Sequence, residues 1–225
     1  CQGFETLPTL LMEGSSLEDT DIGVVEDDVE RVREFMEMLY RRSDRSAEHC
    51  ADWMVRWLKP GDSVLDLGGG HGRYAMAFAE KGFEATLFDK AVCVEIAKER
   101  CGDRIQTLAG DFHVDGLNGP YDAIFLSNIV HGLDEDTILA LLKRLVLELK
   151  PGGRVVVKDF HTDSSAHQPE TAVMFGMVML MFTKGGRTYS IGEMQDLLAL
   201  AGLSPNDPVV ATDLGYELLS GSLLA

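Results

Sequence analysis

Apolar and polar positions along the chain change their rhythm after Pro60 and Gly61. From there, short apolar runs alternate with segments in which apolar residues recur every three or four positions. This pattern predicts alternating strands and helices, and therefore a parallel sheet with helices on both faces. The predicted strands are 63–67, 84–88, 105–109, 121–126 and 154–158, and the predicted helices are 74–80, 92–100 and 135–149. Such a doubly wound α/β fold binds its ligand at the carboxyl ends of the strands.

The flanks of this region are less regular. Residues 13 to 37 carry ten acidic side chains, and residues 1 to about 25 are interpreted as a loosely held arm. Apolar residues at helical spacing predict a helix from Val29, with Asp27 or Asp28 as its cap, and a second helix follows at 47–58. We therefore divide the chain into an acidic arm with two helices at 1–58 and one α/β domain at 59–225. The remaining predicted elements are helices near 171–182 and 191–201 and a strand pair around 209–219.

Composition narrows the class of protein. With 225 residues, 45% of them apolar and 25% charged, the chain suits a single globular domain. A net charge of −17 makes nucleic acid and anionic membranes poor partners. The longest apolar run, 172–182, is about half of the roughly 20 residues that span a bilayer, and no export signal is recognisable. Cys93 and Cys101 lie about 12 Å apart if they share a helix, too far for a disulfide, so a reducing cytoplasm is the expected compartment.

A glycine-rich loop follows the first predicted strand. Gly68, Gly70 and Gly72 permit a tight turn and a close approach of a ligand to the backbone. Residues 70–75 satisfy the loose dinucleotide pattern GxGxxA, but the carboxylate of Asp66 at the strand end would repel a pyrophosphate. An acid there suits a cationic ligand without phosphate, such as S-adenosylmethionine. A nicotinamide cofactor remains as an alternative interpretation.

Further candidate nucleoside-binding residues follow the next strands. Asp89 lies about twenty residues past the loop, where an acid accepts hydrogen bonds from ribose hydroxyls. Asp111 offers an acceptor for an adenine amino group, and Phe112 offers an aromatic face for the ring. Each residue alone could be a helix cap or part of the core, but three in order at strand ends favour a nucleoside site. Ser127, at the end of the fourth strand, completes the predicted cofactor-binding set.

These motifs resemble those of the class I S-adenosylmethionine-dependent methyltransferases, and more narrowly the small-molecule O-methyltransferases of plant phenolic and bacterial natural-product pathways. The likeness runs from about residue 28 to 211. It is carried by LDLGGGHG at 65–72, TLFD at 86–89, GDF at 110–112, LSNIVH at 126–131, LKPGGR at 149–154, GGRT at 185–188 and LALAGL at 198–203. The resemblance implies a mostly parallel seven-stranded sheet, S-adenosylmethionine as cofactor and a small aromatic or polyketide-like hydroxyl as acceptor, and it is compatible with a homodimer.

The resemblance also implies the catalytic residues. His131 matches the base that deprotonates the acceptor hydroxyl, and imidazole exchanges protons near neutral pH. Asp159 and Glu193 match the acids that flank this base. Other interpretations stay open: His131 could simply pack in its loop, Asp159 could cap a helix or pair with a cation, and Glu193 forms a capping-box pattern with Ser190.

The chain departs from the family in two places. Gly132 and Leu133 stand where relatives usually carry an acid and a tryptophan. Relatives also carry a helical dimerisation region of roughly a hundred residues before the cofactor domain, the size of a small domain, and here only two helices occupy that place. A non-catalytic cofactor-binding or partner-binding remnant of a larger methyltransferase is therefore the alternative function.

Three methionines of the apolar helix could line an acceptor pocket, because thioethers adapt to irregular apolar ligands. Met174, Met177 and Met181 share one side of this helix at helical spacing. Core packing is the default interpretation of such a stripe. His161, His167 and Asp163 nearby are too few and too widely spaced for a metal, so no metal site is predicted.

Overall fold

The computed structural model describes residues 28–183, 185–205, 209–211 and 215–223. The arm predicted at residues 1 to about 25 lies outside these ranges. Within them, no helix has the length and apolar character that crossing a membrane requires.

Seven helices and nine strands make up the described chain. The helices are α1 Val29–Arg42, α2 Asp44–Met54, α3 Arg73–Glu80, α4 Ala91–Cys101, α5 Glu135–Val146, α6 Glu170–Phe182 and α7 Ile191–Leu200. The strands are β1 Ser63–Leu67, β2 Glu84–Asp89, β3 Gln106–Ala109, β4 Tyr121–Ser127, β5 Leu149–Asp159, β6 His161–Thr162, β7 Tyr189–Ser190, β8 Val210–Ala211 and β9 Glu217–Ser222. Short 3₁₀ turns occupy Gly102–Arg104 and Val130–Gly132.

Seven of the strands form one sheet in the order β3-β2-β1-β4-β5-β9-β8. Strands β1 to β5 run parallel to one another, whereas β9 is antiparallel to both β5 and β8. The predicted doubly wound, mostly parallel sheet is confirmed. Strands β6 and β7 form a separate two-stranded ladder that the sequence analysis did not predict.

Both faces of the sheet are covered, so its central strands are apolar on both sides. In β5, Val155 and Val157 join the core beneath α5 and α7, and Val156 points to the opposite core beneath α2 and α3. This alternation follows from the two-residue period of a strand.

Predicted and observed boundaries differ most at one helix and one strand. Helix α2 begins at Asp44 and ends at Met54, whereas 47–58 was predicted. Strand β5 begins at Leu149 and not at 154, because its ladder with β4 contains an irregularity near Gly153. A methyl group added to Gly153 would lie 2.8 Å from the backbone oxygen of Lys150, so only glycine fits this bend.

Helix α1 packs against the α/β domain and covers the glycine loop. Its cap is the predicted one, because the Asp28 carboxylate accepts a hydrogen bond from the Arg31 amide at 3.1 Å. A buried cluster joins α1 to α4 through Val32, Met36, Cys93 and Ile96. A methyl group added to Gly70 would lie 3.2 Å from the Met36 sulfur. The first helix therefore forms part of the wall around the predicted cofactor loop.

The cysteines of α4 agree with the expectation from their spacing. Cys93 and Cys101 are both buried, and no disulfide joins them in the described part of the chain. Cys101 instead packs beneath the glycine loop, where its sulfur lies 3.8 Å from the backbone oxygen of Gly72.

Candidate active site

The glycine loop joins β1 to α3 in the predicted tight turn. Gly68, Gly70 and Gly72 have φ angles of +68°, +47° and +77°, in the left-handed region that favours glycine. A methyl group added to Gly68 would lie 2.4 Å from a side-chain carbon of Ile129, so the loop also lies close to the segment that follows β4.

The amides of this loop are occupied within the protein. The Gly68 and Gly69 amides donate to the backbone oxygen of Phe88, and the Gly72 amide donates to that of Gly69. The Gly70 amide donates to the carboxylate of Asp89 at 2.7 Å. A pyrophosphate would have to displace these bonds and approach that carboxylate, which disfavours the nicotinamide alternative.

Asp66 lies beneath the loop and not at the cofactor-facing surface. It is 1% exposed, and one of its carboxylate oxygens accepts a hydrogen bond from the Ala75 amide in the first turn of α3 at 3.1 Å. Burial raises the pKa of this carboxyl to about 7. The prediction that Asp66 itself meets a cationic ligand is corrected, because its position in β1 turns the side chain toward the helix. The geometry gives Asp66 a supporting position under Gly69 and the start of α3.

Asp89 occupies the predicted position at the end of β2. Its second carboxylate oxygen accepts a hydrogen bond from the Lys90 amide at 2.7 Å. Burial raises the pKa of Asp89, while its bonds to the Lys90 and Gly70 amides oppose that shift. The structure therefore brings Asp89 and the glycine loop together.

The remaining predicted cofactor residues stand at the neighbouring strand ends. Asp111 and Phe112 follow β3, with Asp111 exposed and Phe112 half-buried against the core. One Asp111 oxygen accepts a hydrogen bond from the His113 amide at 2.8 Å. Ser127 ends β4, and its buried hydroxyl has no hydrogen-bond partner among the described residues. The orphaned hydroxyl, the Asp89 carboxylate and the crowded glycines fit a phosphate-free nucleoside ligand.

His131 and Asp159 form a hydrogen-bonded pair at the same edge of the sheet. Nδ1 of His131 lies 2.7 Å from one carboxylate oxygen of Asp159, and the His131 amide lies 3.3 Å from the other. Burial opposes ionisation of Asp159, but its interactions with His131 outweigh burial and lower the pKa of this carboxyl. Because an ionised carboxylate only accepts, Nδ1 carries the proton and Nε2 is left as an acceptor. An imidazole in this state can act as a base.

Aromatic and glycine contacts fix the position of His131. The ring of Phe175, on α6, meets the imidazole edge-to-face at 4.7 Å between centroids. A methyl group added to Gly186 would lie 2.5 Å from the backbone oxygen of His131, so the segment after α6 lies directly against this turn. The GGRT motif at 185–188 therefore has a packing role beside His131.

One buried polar neighbour of Asp159, Glu217, was not predicted from the sequence. Glu217 pairs with Asp159 across the β5–β9 ladder, and its carboxylate accepts a hydrogen bond from the His161 amide at 3.1 Å. Burial raises the pKa of Glu217, and the Asp159 charge raises it further. The only signal for this neighbour was an acid in the last predicted strand, because the two residues are far apart in the chain.

Glu193 has a structural role in place of the predicted catalytic one. It completes the capping box of α7, with its carboxylate accepting from the Ser190 amide at 2.7 Å. Its other oxygen accepts from the Arg187 guanidinium at 2.9 Å. Both oxygens are thus engaged away from His131, and the alternative of a helix cap describes this residue.

The three methionines of α6 do not form one wall. Met174 is 50% exposed, whereas Met181 is 2% exposed and belongs to the core. Met177 lines an open cavity of about 530 Å³ together with Thr162, Arg187 and Glu193. Neither His131 nor the glycine loop lines this cavity. The three methionines therefore do not line one pocket together, and core packing, the default interpretation, describes Met181. Phe175 is the α6 side chain whose ring contacts His131.

Comparison with known proteins agrees with this geometry. Residues 22–204 match the O-methyltransferase domain family, and the chain belongs to that family. It is 32% identical over 148 residues to 3-hydroxy-5-methyl-1-naphthoate 3-O-methyltransferase of Streptomyces sahachiroi, covering 63% of this chain and 43% of that protein. It is 31% identical over 172 residues to 3-amino-4-hydroxybenzoate 4-O-methyltransferase of Streptomyces cremeus, covering 71% of this chain and 45% of that protein. The chain therefore spans less than half the length of these relatives.

A solved structure shares the fold over nearly the whole chain. Human N-acetylserotonin methyltransferase in complex with S-adenosylmethionine superposes with a TM-score of 0.85 at 22% identity, covering 99% of this chain and 67% of that chain. At this identity the likeness concerns the fold.

Proposed function

We propose that this domain transfers a methyl group from S-adenosylmethionine to a hydroxyl of a small aromatic or polyketide-like acceptor, with His131 as general base. The pair of His131 and Asp159, joined at 2.7 Å at the carboxyl edge of the sheet, carries the proposal. Membership of the O-methyltransferase domain family supports it.

The proposed cofactor-binding residues lie at the carboxyl ends of three strands, β2, β3 and β4. S-adenosylmethionine, when bound, supplies an electrophilic methyl group on a sulfonium. Asp89 accepts hydrogen bonds from the ribose hydroxyls, and Asp111 and Phe112 hold the adenine ring. Ser127 offers the hydroxyl that has no partner within the described protein.

His131 and Asp159 handle the proton of the acceptor. Nε2 of His131 takes the hydroxyl proton as the oxygen attacks, and Asp159 stabilises the resulting imidazolium through Nδ1. The proton then leaves to solvent. A positioned base of this kind contributes about 10²–10⁴-fold, and alignment of the reactants supplies much of the rest.

The names of two relatives support the proposed acceptor class. Both Streptomyces proteins are named for hydroxylated aromatic carboxylic acids. Such acids are the acceptors to test first, and 3-amino-4-hydroxybenzoate is a practical probe.

Two substitutions separate catalysis from cofactor binding. We expect His131→Ala to reduce kcat about 10²–10⁴-fold and to leave the affinity for S-adenosylhomocysteine unchanged, because His131 acts on the acceptor. Asp89→Ala should have the reverse profile and weaken that affinity in calorimetry. His167→Ala, in an exposed loop, is the matched control. Unchanged turnover in the His131 variant would disprove the base assignment.

The non-catalytic alternative predicts a different outcome in the same assays. A remnant that only binds the cofactor would take up S-adenosylhomocysteine and methylate no member of a hydroxyarene panel. Measured turnover with any member of the panel excludes that alternative.

Two further expectations stay predictions. Whether the full chain forms a homodimer is tested by measuring its molar mass with size-exclusion chromatography and light scattering. A cytoplasmic location is measured by fractionation of cells that express it.

A further inference from the structure

Lys158 is a buried ammonium next to the catalytic pair. It precedes Asp159 in β5 and is 4% exposed. Because side chains alternate along a strand, Lys158 points to the face opposite Asp159, toward α2 and α3. It therefore stands at the carboxyl edge of the sheet, where ligands of this fold class bind.

The surroundings of Lys158 contain rings and one amide but no anion. Its Nζ donates to the side-chain oxygen of Asn128 at 2.9 Å. The same atom lies 4.5 Å from the ring centroid of Tyr216 and 5.8 Å from those of Tyr74 and Phe160. No Asp or Glu of the described chain forms an ion pair with it, and its neighbour Asp159 is engaged by His131.

Asn128 is held in an unusual conformation that serves this contact. Its φ is +57°, in the left-handed region that asparagine tolerates better than most residues. Its amide donates to the backbone oxygen of Lys158 at 3.0 Å, so backbone and side chain both tie it to β5. These two hydrogen bonds fix the side chain of Asn128 beside the ammonium.

Lys158 lies between the cofactor loop and the base. On one side, the pKa of His71 in the glycine loop is lowered to about 4, mainly by burial and to a smaller extent by the charges of Arg100 and Lys158. On the other side, Phe160 beside Lys158 stacks on Phe175 at 4.6 Å between centroids, and Phe175 contacts His131. Through Phe160 and Phe175, Lys158 is thus linked by direct contacts to the surroundings of His131.

A buried ammonium without a counter-ion is costly, and buried charges in proteins are normally paired. An ammonium has three donors, and here one of them has a conventional acceptor. Cation–π contacts offset part of the cost but do not neutralise the charge. A carboxylate would supply both the counter-charge and further acceptors.

We propose that Lys158 binds a carboxylate of a small molecule held in this cleft, either the methionine carboxylate of S-adenosylmethionine or a carboxylate on the aromatic acceptor. The proposal rests on the proposed function and adds a specificity-determining residue to it. Methionine at this position would fill a similar volume without charge, so Lys158→Met is the appropriate variant.

The first arm of the test addresses the cofactor. Calorimetry compares S-adenosylhomocysteine with 5′-methylthioadenosine, which has the same nucleoside thioether but no carboxylate. If the cofactor is the source, Lys158→Met weakens binding of S-adenosylhomocysteine about 10- to 100-fold, the range for a charge-assisted hydrogen bond. Binding of 5′-methylthioadenosine stays the same.

The second arm addresses the acceptor. Calorimetry with S-adenosylhomocysteine present compares 3-amino-4-hydroxybenzoate with its methyl ester. If the acceptor is the source, the wild type prefers the acid about tenfold or more, and Lys158→Met loses that preference while its affinity for S-adenosylhomocysteine is unchanged.

Controls separate a ligand-binding role from a structural one. The control is Lys150→Met, because Lys150 lies on the same strand and already pairs with Asp122 at 2.7 Å. This variant should match the wild type in both arms. The melting temperature of ligand-free Lys158→Met should be unchanged or raised, because removal of an unpaired buried charge does not destabilise the fold.

The proposal is overturned if Lys158→Met matches the wild type within about twofold in both arms, including the case in which neither protein binds the acid or the ester. A lowered melting temperature with no ligand-specific change also overturns it. Failure of the proposed function has a different signature, since the wild type itself would then bind no S-adenosylhomocysteine or methylate no acceptor.

Discussion

Replacing Asp159 by asparagine removes the negative charge from the pair of His131 and Asp159, the proposed base and its partner, and keeps the shape of the side chain. One carboxylate oxygen accepts from both His131 Nδ1, at 2.7 Å, and the Phe160 amide, at 2.8 Å. The other accepts only from the His131 amide, at 3.3 Å. The asparagine side chain has one oxygen. Because His131 Nδ1 and the Phe160 amide both donate to the first carboxylate position, the asparagine oxygen is expected to occupy that position. Nδ1 therefore keeps its proton, and the variant mainly loses charge.

The magnitude follows from the difference between charged and neutral hydrogen bonds. The former contribute about 1.5–3 kcal/mol and the latter about 0.5–1.5 kcal/mol, so the variant loses about 1–1.5 kcal/mol. At about 1.4 kcal/mol per factor of ten, this corresponds to about 5- to 12-fold in rate. The amide hydrogens facing the His131 amide add to the loss, since the site is buried. We expect kcat to fall at least tenfold and to stay above that of His131→Ala.

The assay is steady-state methylation followed by mass spectrometry of the product, with calorimetry for S-adenosylhomocysteine. Asp159→Asn should change kcat and leave cofactor affinity within about twofold. Asp163→Asn, in the loop after β6, is the control. A kcat equal to that of the wild type, or a parallel loss of cofactor affinity, would show that Asp159 does not act through His131.

Two further predictions concern stability. Gly72→Ala should lower the free energy of unfolding by about 1–3 kcal/mol in urea, because φ is +77° and the added methyl would lie 2.8 Å from the Cys101 sulfur. Gly192→Ala, with open space around the residue, is the control and should be neutral or stabilising. Equal effects of the two substitutions would contradict the reasoning. Burial raises the pKa of Asp66 to about 7, so between about pH 4 and 7 the folded chain retains a proton that the unfolded chain releases. The free energy of unfolding therefore falls as pH rises through this range, by at most about 1.4 kcal/mol per pH unit. Asp66→Asn should flatten that slope between pH 5 and 7, and an unchanged slope would refute the assignment.

Local signals in the sequence predicted much of the fold. Strand β1, the glycine turn and α3 follow from an apolar run, three glycines and helical spacing within one short segment. The cap of α1 at Asp28 follows in the same way, from a short polar side chain directly before the helix. These features depend on neighbours in the chain, which is why the sequence alone could indicate them.

Features that depend on distant neighbours escaped prediction. The sequence placed Asp66 at a strand end but could not show that the side chain turns beneath the loop, toward Ala75. It could not show that Glu217 pairs with Asp159, because that contact arises only when β9 adds to β5 in antiparallel register. Strands β6 and β7 are two residues each, too short to leave a periodic pattern.

The position of α1 bears on where the functional unit begins. Met36 lies over Gly70, and its neighbours in the cluster, Cys93 and Ile96, belong to the α/β domain. Removal of all residues before 59 would expose this apolar surface to water and leave the glycine loop uncovered on the side of Met36. A version of the domain that keeps this surface covered must therefore retain the helix that starts at Val29, although by sequence pattern that helix belongs to the preceding extension.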